Sequence, residues 1–205
     1  MKGKKIIVQN TDCTKYEVGM NKLAIMFSGT GYTYEKPYLY YCTQIAIQKG
    51  YDVLQIHYSF PPTLFQQSEE IISQTIYEKV KGIVDIYFKD HEYDRLLFIG
   101  KSLGTIPIVN HFMQQTFPLP IQFVNLTPLL SMDSYFDNLL KSPSSSFIVI
   151  GTADGNYDSE KVQALTQHQV SIIENANHSL DILGDTQKSM KALSNVIEGI
   201  QNYID

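Results

Sequence analysis

Residues 96–104 read Leu96-Leu97-Phe98-Ile99-Gly100-Lys101-Ser102-Leu103-Gly104, and this stretch decides how the rest of the chain is organised. Apolar residues of strand character run directly into Gly-x-Ser-x-Gly, and Ile106, Val109 and Met113 then follow at helical spacing. A strand that turns sharply into a helix strains the backbone of the residue at the turn and lifts its side chain clear of the sheet. The positions two before and two after the turn must be small, because a side chain there would collide; both are glycine, Gly100 and Gly104. Ser102 is therefore a candidate nucleophile at the C-terminal edge of a sheet, beside the free N–H groups that open a helix.

Outward from this point the pattern repeats. Short apolar runs at 5–8, 23–27, 53–58, 95–99, 121–126, 147–150 and 170–173 predict strands, most with the weak alternation expected when both faces are covered. Helical periods lie between them. Pro37 suits the first turn of a helix with Tyr38, Tyr41, Cys42 and Ile45 on one face, and Gly50 stops it. Ile72, Ile76, Val80, Ile83, Val84 and Tyr87 mark a long amphipathic helix from Ser68 onward. Val162 and Leu165 mark a helix capped by Asp158 or Ser159, and Leu193, Val196, Ile197, Ile200 and Ile204 mark the last one. The order predicts an α/β fold: a three-layer α/β/α sandwich with a mostly parallel, doubly wound sheet of about seven strands, in a single domain over 1–205. The first strand is expected to pair antiparallel with the second across the turn-prone segment 17–21.

Composition narrows the function. The net charge of −5 and the confinement of basic clustering to Lys2, Lys4 and Lys5, read as a frayed and solvated start, argue against a nucleic-acid partner. No signal peptide or membrane span is visible, so no membrane partner is expected and the cytoplasm is the default location. Cys13 and Cys42 fit neither a metal spacing nor a disulfide framework, and no metal or other cofactor is implied. Position 95, where a phosphate-cradling loop ending in Lys101-Ser102 needs its first glycine, is arginine.

Two further segments complete a constellation. The strand ending at Ile150 is followed by Gly151-Thr152-Ala153-Asp154, and the one ending at Ile173 by Glu174-Asn175-Ala176-Asn177-His178. With the elbow at Ser102, the chain resembles the α/β-hydrolases, which order their triad as serine, acid, histidine. The resemblance runs from Leu23 to the last helix, and small lidless hydrolases of the dienelactone-hydrolase kind are the nearest branch. It implies a serine hydrolase acting on a small or medium carboxylic ester or thioester, with Ser102 as nucleophile, His178 as base and Asp154 orienting the imidazole. It also implies an oxyanion hole from the backbone N–H groups of Leu103 and Thr30, with Gly31 as the alternative to Thr30. Asp158 and Asp133 compete with Asp154; some relatives carry the acid after the strand that precedes Asp133.

The segment 127–146 is too short for a large helical lid, so an open, shallow pocket is expected. Gly29, Gly31, Tyr32 and Leu129 are the candidate substrate-binding residues, with Thr127, Pro128, Leu130, Tyr135 and Phe136 on one wall and Tyr34 and 60–62 on the other. Lys101 neighbours Ser102 on an extended segment and should face away from its hydroxyl, which disfavours a Ser–Lys dyad. His57 is placed at the active edge, His111 inside a helix and His91 in a loop, the last two without an evident partner. Two other readings share the pattern: a catalytically silent binding protein on this fold, and a lyase or peptidase using the same triad. The substrate's identity and the oligomeric state are not readable from one sequence.

Overall fold

The computed structural model describes residues 2–90 and 92–204, so His91 lies outside the described residues. Eight strands form one sheet: β1 (Lys4–Val8), β2 (Thr11–Tyr16), β3 (Lys22–Phe27), β4 (Tyr51–Ile56), β5 (Arg95–Lys101), β6 (Ile121–Leu126), β7 (Phe147–Gly151) and β8 (Gln169–Ile173). Their spatial order is β1-β2-β4-β3-β5-β6-β7-β8, with β1 and β2 antiparallel to their neighbours and β3 to β8 parallel. The helices are α1 (Pro37–Gln48), α2 (Glu69–Asp90), α3 (Thr105–Asn110), α4 (Asp133–Leu140), α5 (Ser159–Ala164) and α6 (Thr186–Tyr203).

Two-residue alternation along the central strands feeds two cores. On β3, Leu23, Ile25 and Phe27 face one helical layer and Ala24 and Met26 the other; on β5, Leu96 and Phe98 oppose Leu97 and Ile99. The first core is closed by α2, α3, α4 and α5 through residues such as Ile76, Val80, Val109, Leu139 and Val162. The second is closed by α1 and α6 through Leu39, Cys42, Val196 and Ile200. That is the three-layer α/β/α arrangement expected from the element order, and the run of apolar residues on β3 and β5 is what burial on both faces requires.

The N-terminal edge departs from expectation. β1 pairs with a strand over Thr11–Tyr16 rather than with 23–27, and the sheet has eight strands. The sequence Thr-Asp-Cys-Thr-Lys-Tyr carries little apolar signal, yet Thr11, Cys13 and Thr14 are buried against the neighbouring strand. The hairpin turns at Gln9 and Asn10, both at positive φ (47° and 56°), as a two-residue turn of this hand needs. Lys4 and Lys5 are consequently strand residues, not a frayed start, and the Lys5 ammonium donates to Thr14 Oγ1 at 2.8 Å. No helix among the described residues is long and apolar enough to cross a membrane.

Candidate active site

Ser102 follows the last residue of β5 and opens a 3₁₀ turn, Ser102–Gly104, that leads into α3. Its φ is +53°, the left-handed conformation of a sharp strand-to-helix turn. The two glycines are needed there. A Cβ on Gly100 would come within 2.6 Å of the Gly104 carbonyl oxygen, and one on Gly104 would overlap the Phe27 carbonyl at the end of β3. Below the turn, Thr105 Oγ1 donates to the Ser102 carbonyl at 2.7 Å and receives the buried Tyr135 hydroxyl at 2.9 Å. Pro107 sits in the first turn of α3, where a missing N–H costs little.

Asp154 and His178 lie just past β7 and β8, on the same sheet edge. The Ser102 hydroxyl is 2.7 Å from His178 Nε2, and His178 Nδ1 is 2.7 Å from Asp154 Oδ2. The Asp154 side chain is fully buried, whereas that of His178 is 41% exposed, so the acid is fixed and the imidazole opens to the site. Burial by itself would raise the Asp154 pKa. The hydrogen bond from His178, those from the Asn156 backbone and side chain at 2.9 and 3.1 Å, and the nearby imidazole charge outweigh it and hold the carboxyl below its ordinary range. The rival acids are engaged elsewhere: Asp158 caps α5 by accepting from Glu160 N and Lys161 N, and Asp133 pairs with Lys161 at 3.0 Å.

The histidine loop is held from several sides. Asn177 Oδ1 accepts from Ser179 N and Asp181 N, Ala153 N donates to the Ala176 carbonyl, and the Tyr38 hydroxyl of α1 donates to the Leu180 carbonyl. Lys101, only 1% exposed, donates through Nζ to Thr127 Oγ1 and to the His178 carbonyl. Its bonds go to Thr127 and the His178 carbonyl while His178 pairs with Ser102, in keeping with the expectation that Lys101 faces away from the hydroxyl.

Gly29, Thr30, Gly31, Tyr32, Lys101, Ser102, His178 and Ser179 line a cavity of about 260 Å³. Gly29 approaches closely enough that a Cβ there would stand 3.3 Å from Ser102 Cβ. Leu103, the candidate second oxyanion donor, is buried directly after Ser102, the candidate nucleophile. Leu129 is not among the lining residues; it is half-buried against the first core. Tyr34 and Tyr135 are likewise core residues that do not line this cavity, their hydroxyls bonded inside the fold, although Tyr34 borders an adjacent hollow. His57 contacts Thr14 Oγ1 at 2.7 Å and borders an adjacent hollow that shares Gly29 and Thr30. His111 ends α3 and has partners the sequence did not reveal: Ser73 Oγ at 3.0 Å and a stacked Tyr77 ring. Asn156 was also missed, as were the hydrogen bonds of Lys101 to Thr127 and to the His178 carbonyl. The one available signal was a lysine at the buried end of a strand whose interior is apolar.

A sheet of this order, with serine after β5, acid after β7 and histidine after β8, has the α/β-hydrolase fold. No protein-family model matches the sequence, and no curated protein is significantly similar to it. Solved structures are similar in fold. An α/β serine hydrolase homologue from Coxiella burnetii aligns with a TM-score of 0.70 at 12% identity, over 100% of this chain and 97% of its own. Est1E from Butyrivibrio proteoclasticus gives 0.70 at 12% identity over 100% and 99%. The Pyrococcus furiosus esterase Pf2001 gives 0.64 at 14% identity over 100% and 93%.

Proposed function

We propose that this protein is a lidless cytoplasmic serine hydrolase that cleaves a small or medium carboxylic ester or thioester through an acyl-enzyme. The observation that carries the reading is the unbroken relay from the Ser102 hydroxyl through the His178 imidazole to the buried Asp154 carboxylate, with 2.7 Å at each step. A binding protein has no need of a base aligned on its serine.

In the reaction, His178 Nε2 takes the proton as Ser102 Oγ bonds to the substrate carbonyl carbon, while Asp154 stabilises the imidazolium. Backbone N–H groups of Leu103 and Thr30 receive the oxyanion, each worth about 2.7–4 kcal/mol of barrier. The imidazolium returns its proton to the departing alkoxide or thiolate, leaving Ser102 acylated. Water then attacks with His178 again as base, releasing the acid and restoring the serine. The cavity of about 260 Å³ lies below the roughly 300–1,000 Å³ of sites for drug-sized ligands, which favours short acyl chains.

Labelling with a fluorophosphonate tests the reading. Wild type should label, and Ser102→Ala and His178→Ala should not. A folded wild type that fails to label refutes the hydrolase assignment and leaves ligand binding at the same edge.

A further inference from the structure

Three segments that meet at the site carry backbone strain: Ser102, Thr127 at the end of β6 and Leu180 in the histidine loop have φ of 53°, 47° and 66°. For a β-branched residue such as Thr127 that conformation costs on the order of 1–3 kcal/mol and persists only where surrounding bonds impose it. One side chain reaches between these segments. Lys101 Nζ donates to Thr127 Oγ1 at 2.5 Å and to the His178 carbonyl at 2.5 Å, and it sits 4.8 Å from the centre of the Tyr32 ring, on the loop that carries Thr30.

We propose that Lys101 is a positioning residue for the candidate base: its Nζ pins the histidine loop to the ends of β5 and β6 and so holds the His178 imidazole in line between Ser102 and Asp154. The proposal rests on the hydrolase reading above; Lys101 borders the cavity, but the role assigned to it runs through His178 rather than through substrate. The carbonyl it grips belongs to the same residue as the base, so a shift of that carbonyl turns the ring. Packing alone does not account for a lysine here, because the site is 1% exposed, both acceptors are neutral oxygens, and a methionine would fill the space without burying a charge. Burial draws its ammonium down to about 7, against the opposing pull of Asp154 and Asp181. A neutral amine retains two N–H donors for the same two acceptors, so the tie holds in both protonation states.

The test compares Lys101→Met, Thr127→Val, Thr127→Ser and the double variant Lys101→Met/Thr127→Val. The readouts are p-nitrophenyl acetate hydrolysis, fluorophosphonate labelling and the downfield proton resonance of His178 Nδ1–H, assigned by its loss in His178→Ala. Lys101→Met and Thr127→Val should each lower kcat roughly 10- to 100-fold, the scale of a misplacement near 1 Å, with KM within about threefold. Thr127→Ser keeps the acceptor and should stay near wild type. The double variant should be no worse than the poorer single one, because both remove the same tie. The imidazole resonance should broaden in both single variants and persist in Thr127→Ser. Multiplying losses in the double variant, or a Lys101→Met protein with kcat and the resonance intact, overturns the proposal. A wild type that does not label refutes the hydrolase reading instead, while the resonance still decides whether Lys101 orders the loop.

Discussion

The charge on Lys101 should be visible in stability as a function of pH. The folded protein holds this ammonium at about 7, chiefly through burial, against an ordinary 10.5. Between those values the unfolded chain binds a proton that the fold releases, so stability rises with pH at up to about 1.4 kcal/mol per unit. Integrated from pH 7 to 9, the gain is roughly 2 kcal/mol. Above pH 9 the sign reverses, because burial raises Cys13 to about 11 and Cys42 to about 12, and the unfolded chain then loses those protons first. In Lys101→Met the rise between pH 7 and 9 should vanish. At pH 7 itself the variant should lie close to wild type, since relief of the buried charge offsets two orphaned acceptors at about 1–3 kcal/mol each. Urea unfolding at pH 7, 8 and 9, followed by circular dichroism because the chain has no tryptophan, measures this directly. A wild-type curve flat over that range, or a Lys101→Met curve that rises in parallel, would refute the reasoning.

Other consequences can be checked alongside it. Asp154→Asn should lower kcat/KM by about 10⁴ without unfolding the protein, whereas Asp158→Asn and Asp133→Asn should leave turnover near wild type. Asp158→Ala should cost about 1 kcal/mol of stability in denaturant, because it removes the cap of α5. Gly104→Val should abolish soluble expression or lower the melting temperature sharply, since its side chain would occupy the space of the Phe27 carbonyl; a stable, active variant would contradict the elbow geometry. Stability should also fall as pH drops below about 6.5, because burial lowers the pKa of His57, His111 and His168, and the unfolded chain takes up those protons first. His168 is the best test of the three. Its Nδ1 accepts from Ser146 N and its Nε2–H donates to the Leu139 carbonyl, so protonation breaks the first bond, and the gap between urea midpoints at pH 7.5 and 5 should narrow in His168→Gln, with His57 and His111 keeping the remainder.

Much of this molecule was written locally. The central strands were legible because burial on both faces demands unbroken apolar runs, and the long helices because one face must repeat every three or four residues. The turn at Ser102 was legible because only glycine fits where two backbones nearly touch. The order serine, acid, histidine also needed no coordinates. What depended on distant partners was not readable. β2 is polar and is made a strand by pairing with β1 and β4, not by its own composition. Asp154 was favoured over Asp158, a cap candidate, and over Asp133, but sequence left all three in play; the folded loops place Asp154 beside His178 while Asp158 turns to its own helix. The direction of Lys101 was predictable from strand alternation. Its partners were not, because Thr127 and His178 arrive from two other strands' ends. Periodicity reports which face a residue turns to the core; only the tertiary fold decides which atoms wait there.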